Sequence, residues 1–201
     1  MIDLSDIDEA EPFQLFKEAY NKAEKHDQLN IDAASISSFN KNLNEVSARY
    51  VNLKFFKGEK IFFFSNYNSR KNKDFDTHDQ AALNIFWATI NFQARILVKI
   101  KKAKDNISDK HFSKRNIEKN ALAISSNQSN VISDYSQVKH KYEKVLLNLR
   151  KQKTLKRPKY WGGYELSPYS FEIWNGHKNR LNKRSLYTKK SNKWFLEILE
   201  P

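Results

Sequence analysis

The stretch Trp161-Gly162-Gly163-Tyr164, followed by Trp174-Asn175-Gly176 and then by Arg180-Leu181-Asn182-Lys183-Arg184, is the most informative part of this chain. The whole chain of 201 residues has only four glycines and four tryptophans. Three of those glycines and two of those tryptophans fall within residues 161–176. Such a concentration of rare residues marks a functional site rather than an ordinary surface.

The residues on either side of this stretch predict β-strands. Strands are expected over 163–174, 182–188 and 193–199 and, earlier in the chain, over 33–39, 46–56, 60–65 and 81–88, where β-branched and aromatic residues are separated by polar turns. Between 96 and 101, apolar residues alternate with mostly charged ones, which predicts a further strand with one apolar face. The strands together indicate an antiparallel sheet.

Helices are predicted over 12–26, over 108–122 with Ser108 as the N-cap, and from Ser133-Asp134 to the basic run 150–153. This order of elements predicts a mainly β fold with flanking helices, in which a barrel-like antiparallel sheet forms one domain over residues 1–201. Residues 1–10 are the candidate flexible segment of that domain.

The composition limits where and how the protein works. The chain has no cysteine, which excludes disulfides, a thiolate metal site and a cysteine nucleophile, and fits a reducing compartment. It has no apolar run of about 18 residues, so no membrane partner is expected. The acidic start, Met1 to Pro12, is unlike a signal peptide. We therefore expect a cytoplasmic protein.

The net charge of +13 indicates a protein whose field attracts anions. A solvated surface is one explanation for most of these lysines, and an anionic ligand is the other. Nucleic acid is not expected as a partner, because no helix-turn-helix, zinc-finger or RNP-like aromatic motif accompanies the charge. Phosphorylated small molecules fit clustered arginines at least as well, since a guanidinium matches the geometry of a phosphate with paired donors.

The common catalytic motifs are absent from the sequence. The five histidines are scattered with no HxxxH or HExxH spacing, so no metal is expected. There is no GxGxxG, GxxxxGK[ST] or GxSxG motif, which argues against the usual dinucleotide, nucleotide and hydrolase sites. The remaining candidates are arginines and lysines set among hydroxyl, amide and aromatic side chains.

Two segments combine these residue types. Arg49 and Lys54 are five residues apart, so on a regular strand they point to opposite faces; from spacing alone, two surface cations remain the simpler interpretation. Residues 62–71 run from a strand into a polar turn that ends in Arg70 and Lys71. Backbone donors, hydroxyls and adjacent cations there predict a phosphate cradle, with a solvated turn as the alternative.

Taken in order, several motifs resemble the pyridoxamine 5'-phosphate oxidase family, an FMN enzyme family of vitamin B6 metabolism. They are Arg49-Tyr50-Val51-Asn52-Leu53-Lys54, the run from Phe64 to Lys71, Phe92-Gln93-Ala94-Arg95, Gln128-Ser129, and the segments around Trp174 and Arg184. The resemblance spans residues 11 to 201. It implies an FMN-binding split β-barrel that forms a homodimer, with FMN in clefts between the subunits.

The resemblance also assigns residues to the cofactor FMN and to the substrate. The cofactor-binding positions are Arg49, Tyr50, Val51, Lys54, Phe64, Ser65, Arg70, Lys71, Gln93, Gln128, Ser129, Trp174 and Arg184. The substrate-binding positions are Lys54, His111, Arg115, Lys119, Arg180 and Asn182, and the catalytic pair over the substrate ring is Arg180 and Asn182. His111 replaces a Tyr of the family, Lys119 a Ser and Asn182 a His.

Three functional hypotheses follow. The first is an FMN-dependent oxidase that converts pyridoxine or pyridoxamine 5'-phosphate to pyridoxal 5'-phosphate with O2 as acceptor. The second is a diverged FMN oxidoreductase for another anionic substrate, motivated by the changes at His111, Lys119 and Asn182. The third is a non-enzymatic binder of flavin, pyridoxal phosphate or nucleic acid.

Overall fold

The computed structural model describes residues 1–152 and 155–201. The helices are α1 (Glu11–Lys25), α2 (Arg70–Thr77), α3 (Asp105–Lys114), α4 (Ile117–Ser125) and α5 (Ser136–Arg150), and a short 3-10 turn spans Ala88–Ile90. The strands are β1 (Ala33–Asn40), β2 (Glu45–Lys57), β3 (Lys60–Asn66), β4 (Gln80–Trp87), β5 (Phe92–Lys102), β6 (Trp161–Asn175), β7 (Lys183–Lys190) and β8 (Lys193–Leu199). A mainly β fold with flanking helices is thus confirmed.

The strands form one antiparallel sheet in the order β3-β2-β1-β4-β5-β6-β7-β8. A further pairing of β3 with β6 closes the first six strands into a barrel and leaves β7 and β8 as an extension. β6 serves both parts: residues 161–166 pair with β3, and residues 170–175 pair with β7. Pro168 lies between the two halves, where the absence of a backbone N–H suits a change of partner.

The core is an aromatic cluster between α1 and the barrel. Phe16 of α1 packs against Trp87 with ring centroids 5.2 Å apart and against Phe56 at 5.4 Å, and Phe13 packs against Phe171 at 5.6 Å. Pro12 lies in the first turn of α1, and the spacing of Phe13 and Phe16 places both on the buried face of the helix, where they are fully buried. This packing fixes α1 against strands β2, β4 and β6.

Residues 1–10, the candidate flexible segment, lie along β2. Ile2 and Ile7 are buried, and bridges join Asp3 to Phe55 and Ile7 to Gly58. No helix in residues 1–152 or 155–201 has the length and apolar character needed to cross a membrane.

The predicted helix over 108–122 is wrong in its extent. The structure has two helices, α3 and α4, separated at Arg115 and Asn116. Asn116 is the N-cap of α4, because its side-chain oxygen accepts a hydrogen bond from the backbone N–H of Lys119 at 3.0 Å. Ser108 is not an N-cap but lies buried inside α3, where its Oγ accepts from the N–H of Gly163 at 3.0 Å.

The helix predicted from Ser133-Asp134 begins at Ser136 and is described to Arg150. Asp134 precedes it, with its carboxylate accepting from the N–H of Ser136 at 2.6 Å. Lys153, in the predicted helix end, lies outside the described residues. The helix packs against α4 through its apolar stripe, of which Leu149 is buried.

Candidate functional site

A cleft of about 560 Å³ opens among β2, β3, α2, α3 and α4. Ten of the predicted site residues line it: Tyr50, Val51, Lys54, Phe64, Ser65, Lys71, His111, Arg115, Lys119 and Gln128. These residues come from distant parts of the chain, and only the closure of the barrel brings them together. The volume suits a small organic ligand, for which pockets of roughly 300–1,000 Å³ are usual.

Lys71 is a buried cation at one end of this cleft. Its Nζ donates to Ser65 Oγ at 2.8 Å and to Ser69 Oγ at 3.0 Å. No carboxylate in the described ranges pairs with it. Burial, together with the nearby charge of Arg49, lowers the pKa of Lys71 to about 8. An ammonium held in this way is suited to an anionic ligand group such as a phosphate.

The helix that carries Lys71 is anchored by a buried carboxylate, Asp74. It accepts hydrogen bonds from Ser38 Oγ and Ser47 Oγ, both at 2.7 Å, and from Arg49 Nη2 at 3.1 Å. Burial opposes ionisation, but these hydrogen bonds outweigh it and lower the pKa of Asp74. The structure therefore places the Arg49 side chain in this anchor, and Arg49 is not among the residues that line the cleft.

Arg70, the other cation of the predicted cradle, also points away from the cleft. Its Nη2 donates to Glu45 at 2.9 Å, and both side chains are exposed. Of the two adjacent cations, the structure thus brings only Lys71 into the cleft.

Stacked rings form one wall of the cleft. His111 of α3 lies on Phe64 of β3, and Trp161 stacks beside Phe64 with centroids 5.5 Å apart. Arg115 lies over the Trp161 ring, 4.5 Å from its centroid. Burial, then the charges of Arg115 and Lys54, lower the pKa of His111 to about 4. The imidazole is therefore neutral at physiological pH.

Arg115 is a second, partly buried cation of the cleft. Its Nη2 donates to the carbonyl of Lys119 at 3.3 Å, while its Nη1 is buried without a hydrogen-bond partner among the described residues. Burial lowers its pKa. A ligand anion would satisfy the unpaired nitrogen, so the residues present fit a phosphorylated ligand at this end as well.

Lys54 also lines the cleft and pairs with Asp32 at 2.9 Å. Asn52, Lys114 and Asn116 also line the cleft, although none was among the predicted site residues. Lys114 follows His111 by one helical turn, and that spacing is the signal by which it could have been found.

The loop after α4 supplies Gln128 at the Lys71 end. Ser65 Oγ donates to Gln128 Oε1 at 3.3 Å, and Asn66 Nδ2 holds the loop by donating to the Ser126 carbonyl at 3.1 Å. Ser129, the predicted neighbour, is exposed and has a left-handed backbone with φ of 73°. It is not among the residues that line the cleft.

The other predicted residues lie elsewhere on the same chain. Gln93, Trp174 and Arg184 occupy directly paired positions on β5, β6 and β7, forming one row across the sheet. Arg180 and Asn182 lie in the loop between β6 and β7, where Asn182 accepts from the His177 N–H at 3.0 Å and Arg180 has φ of 63°. None of these five residues lines the cleft of its own chain.

The chain is similar to known proteins in both sequence and fold. Residues 161–201 match the family model described as the pyridoxine 5'-phosphate oxidase C-terminal dimerisation region. The pyridoxine/pyridoxamine 5'-phosphate oxidase of Christiangramia forsetii is 32% identical over 192 residues, covering 95% of this chain and 89% of that protein. The protein of the same name from Trichormus variabilis is 32% identical over 207 residues, covering 98% and 92%.

Solved structures show the same fold. PhzG from Burkholderia lata 383, solved in complex with tetrahydrophenazine-1-carboxylic acid, superposes with a TM-score of 0.89 at 22% identity, covering 96% of this chain and 93% of that one. A pyridoxamine 5'-phosphate oxidase-related, FMN binding protein from Nostoc punctiforme gives a TM-score of 0.75 at 10% identity, covering 94% and 96%. The chain therefore belongs to the pyridoxine/pyridoxamine 5'-phosphate oxidase family and is a flavin oxidoreductase of that kind, built on a split β-barrel.

Proposed function

We propose that this chain is an FMN-dependent oxidase that converts pyridoxine or pyridoxamine 5'-phosphate to pyridoxal 5'-phosphate with O2 as electron acceptor. One observation carries the proposal: the cleft holds a buried cation, Lys71, and a partly buried one, Arg115, neither of which pairs with a carboxylate in the described part of the chain. Two such cations in one cleft match the phosphate of a cofactor and the phosphate of a substrate bound beside it. The names of the relatives support the same chemistry.

At the Lys71 end, the chain offers groups that suit the FMN phosphate and its polar chain. Lys71 supplies charge, Ser65 supplies a hydroxyl, and Gln128 supplies an amide. Asp74 keeps α2, and with it Lys71, fixed on β1 and β2. When bound, FMN supplies the two-electron acceptor that passes electrons on to O2.

At the Arg115 end, the chain offers groups that suit the substrate phosphate. Arg115 and Lys54 provide charge, and the neutral His111 provides a ring N–H. The stacked rings of Phe64 and Trp161 exclude water from this wall, which strengthens the charged contacts beside it. These residues would hold the substrate by its phosphate.

We also propose that the active form is a homodimer. The matched dimerisation region includes β7 and β8, and Phe195, Leu196 and Ile198 of β8 are exposed apolar residues. In the proposed dimer, the row of Gln93, Trp174 and Arg184, together with Arg180 and Asn182, faces the cleft of the other subunit. This arrangement accounts for their distance from the cleft of their own chain.

An anaerobic reduction tests the proposed reaction. The purified protein is loaded with FMN, pyridoxine 5'-phosphate is added without oxygen, and the long-wavelength flavin absorbance is followed. Bleaching that reverses when air is admitted is the expected result. Failure to retain FMN would overturn the cofactor assignment.

A second candidate function is oxidation of another anionic substrate. It is favoured by one observation: Lys119 and Lys114 both line the Arg115 end of the cleft, which gives that end a surplus of positive charge. A yellow protein that neither pyridoxine nor pyridoxamine 5'-phosphate bleaches, but that a different phosphorylated or carboxylated amine or alcohol does, would replace the first function by this one.

A further inference from the structure

Glu172 is a buried carboxylate on β6, on the same side of the sheet as the row Gln93–Trp174–Arg184. Only 8% of the residue is exposed. Its Oε1 accepts from Arg184 Nε at 2.8 Å and from Arg95 Nη1 at 3.5 Å. One carboxylate thus holds two guanidinium groups on the two neighbouring strands, β5 and β7.

Hydrogen bonds extend from Arg95 to the side-chain amide of Gln93. Arg95 Nε donates to Gln93 Oε1 at 2.8 Å, and Gln93 Nε2 donates to Asn84 Oδ1 at 2.8 Å. The amide oxygen and one amide hydrogen are therefore engaged, which sets the rotamer and leaves the second amide hydrogen as the donor for a ligand.

Arg184 is restrained in a similar way. Its Nε binds Glu172, and its Nη1 donates to the Glu200 carbonyl at 3.0 Å. These contacts fix the plane of the guanidinium and leave its Nη2 donors free to bind a ligand. Without the carboxylate, two like charges would face each other across β6, and both side chains would swing apart.

We propose that Glu172 is a positioning residue for the flavin: it holds Arg184 directly and Gln93 through Arg95. This inference rests on the proposed function, in which Gln93 and Arg184 face the cofactor. Glu172 itself touches no ligand. Its role is to present one amide and one guanidinium in a fixed geometry, since a binding group is effective only when its supporting residues lock its rotamer.

The test compares two leucine variants of glutamates on the same strand. Glu165 is the matched control, because it also lies on β6 and forms one ion pair, with Lys101 at 3.2 Å, but has no link to Gln93 or Arg184. FMN affinity is measured by fluorescence titration, and the visible circular dichroism of the bound flavin reports how the ring is held. Light scattering checks that each variant has the mass of the unaltered protein.

Glu172→Leu is expected to weaken FMN binding by about tenfold, the lower end of the loss seen when an orienting partner is removed at a metal site. It is also expected to change the visible dichroism, whereas Glu165→Leu leaves both unchanged. Glu172→Gln, which keeps an acceptor for Arg184, is expected to restore most of the affinity. Its lost negative charge should raise the midpoint potential of the flavin.

Arg95→Leu is the second variant, to be measured in case Glu172→Leu does not fold. Arg95 is exposed, and this change removes its bonds to Glu172 and Gln93 but leaves the Arg184–Glu172 pair in place, so a smaller fall in affinity with altered dichroism is expected. Unchanged affinity and dichroism in Glu172→Leu or, failing its folding, in Arg95→Leu would overturn the positioning role while leaving the proposed function intact. Absence of FMN binding in the unaltered protein would overturn both.

Discussion

His111 lies face to face with Phe64, with ring centroids 3.7 Å apart and ring planes 9° apart. The contact joins α3 to β3 within one wall of the cleft. It also places a titratable ring in a partly buried position near the charges of Arg115 and Lys54. Protonation of this one imidazole therefore changes both the stability of the fold and the charge of the cleft.

The first prediction concerns acid sensitivity. The pKa of His111 is about 4 in the folded chain and about 6.5 when exposed. Below pH 6.5 the unfolded chain takes up a proton that the folded chain refuses, so the free energy of unfolding falls as the pH drops toward 4. Between pH 7.5 and 5, urea unfolding should show a loss of up to about 2 kcal/mol from this group.

His111→Phe keeps the stack and removes the titration, so its loss over the same pH range should be smaller. His140→Phe, at an exposed position of α5, is the control and should behave as the unaltered protein. Equal pH sensitivity of all three proteins would refute the assignment.

The second prediction concerns Lys71 and FMN. The pKa of Lys71 is about 8 in the free protein, so above pH 8 its amine is mostly neutral. Lys71 must then take up a proton when it binds a phosphate. FMN affinity should therefore fall as the pH rises from 8 to 9.5, by up to about tenfold per pH unit. Lys71→Met should lose this pH dependence and bind FMN more weakly at pH 7 by about 1.5–3 kcal/mol.

Fluorescence titrations at pH 7 and pH 9 measure both effects. Lys73→Met is the matched control, because Lys73 lies on the same helix but is exposed. Similar affinity in the two methionine variants would exclude Lys71 from the phosphate site.

The third prediction concerns the anchor of α2. Asp74→Asn leaves the Arg49 guanidinium without its carboxylate partner and weakens the hydrogen bonds from Ser38 and Ser47. Breaking one side of a buried ion pair costs about 3–5 kcal/mol, and the partial exposure of Arg49 places the expected loss near the lower value. Asp76→Asn, exposed on the same helix, should have little effect on the urea midpoint.

The fourth prediction concerns the two adjacent glycines of β6. A Cβ on Gly162 would lie 2.2 Å from the Tyr67 hydroxyl, which donates to the Gly163 carbonyl at 2.9 Å. Gly162→Ala should therefore displace Tyr67 and destabilise the fold by about 1–3 kcal/mol. A Cβ on Gly163 would lie 2.9 Å from the Phe64 ring, so Gly163→Ala should weaken FMN binding as well. Melting curves and FMN titrations of the two variants separate these effects.

The fifth prediction concerns the shared site. Arg115→Ala changes the cleft and Arg184→Ala changes the row on β7, so each variant alone should have low activity. If subunits of an equal mixture exchange at random, half of all dimers carry one change on each subunit, and each of those dimers has one intact site. Activity should then recover to about a quarter of the unaltered level. No recovery after confirmed exchange would show that both residues serve a cleft within one subunit.

Much of the fold could be predicted from local patterns. Runs of β-branched and aromatic residues between polar turns located strands β1 to β4, and alternation over 96–101 located β5, because a strand of an antiparallel barrel has one buried face. The helix break at Arg115–Asn116 could not be predicted in this way, since the periodicity of 108–122 continues across it. The break depends on the Asn116 side chain, which caps α4 instead of continuing α3.

The residues of the site could be predicted only in part, because motif order does not show where each side chain points. Motif order assigned Lys71 and Arg115, and the structure brings both to the cleft. Motif order could not show that Arg49 is directed to Asp74, because residue type does not reveal which of two partners a guanidinium reaches. Nor could it place Trp174 and Arg184, whose distance from the cleft follows from strand pairing along β6.

The dual pairing of β6 also has a kinetic consequence. Ile61 pairs with Leu166, more than a hundred positions later, so the barrel closes only after most of the chain has been synthesised and ordered. Contacts between such distant residues form slowly, because the entropy of the intervening loop must be lost first. Phe64 and Ser65 belong to the paired segment of β3 and β6. The wall that Phe64 forms with α3 is therefore complete only after the barrel has closed. Acquisition of flavin fluorescence quenching during refolding should therefore report the final step of folding.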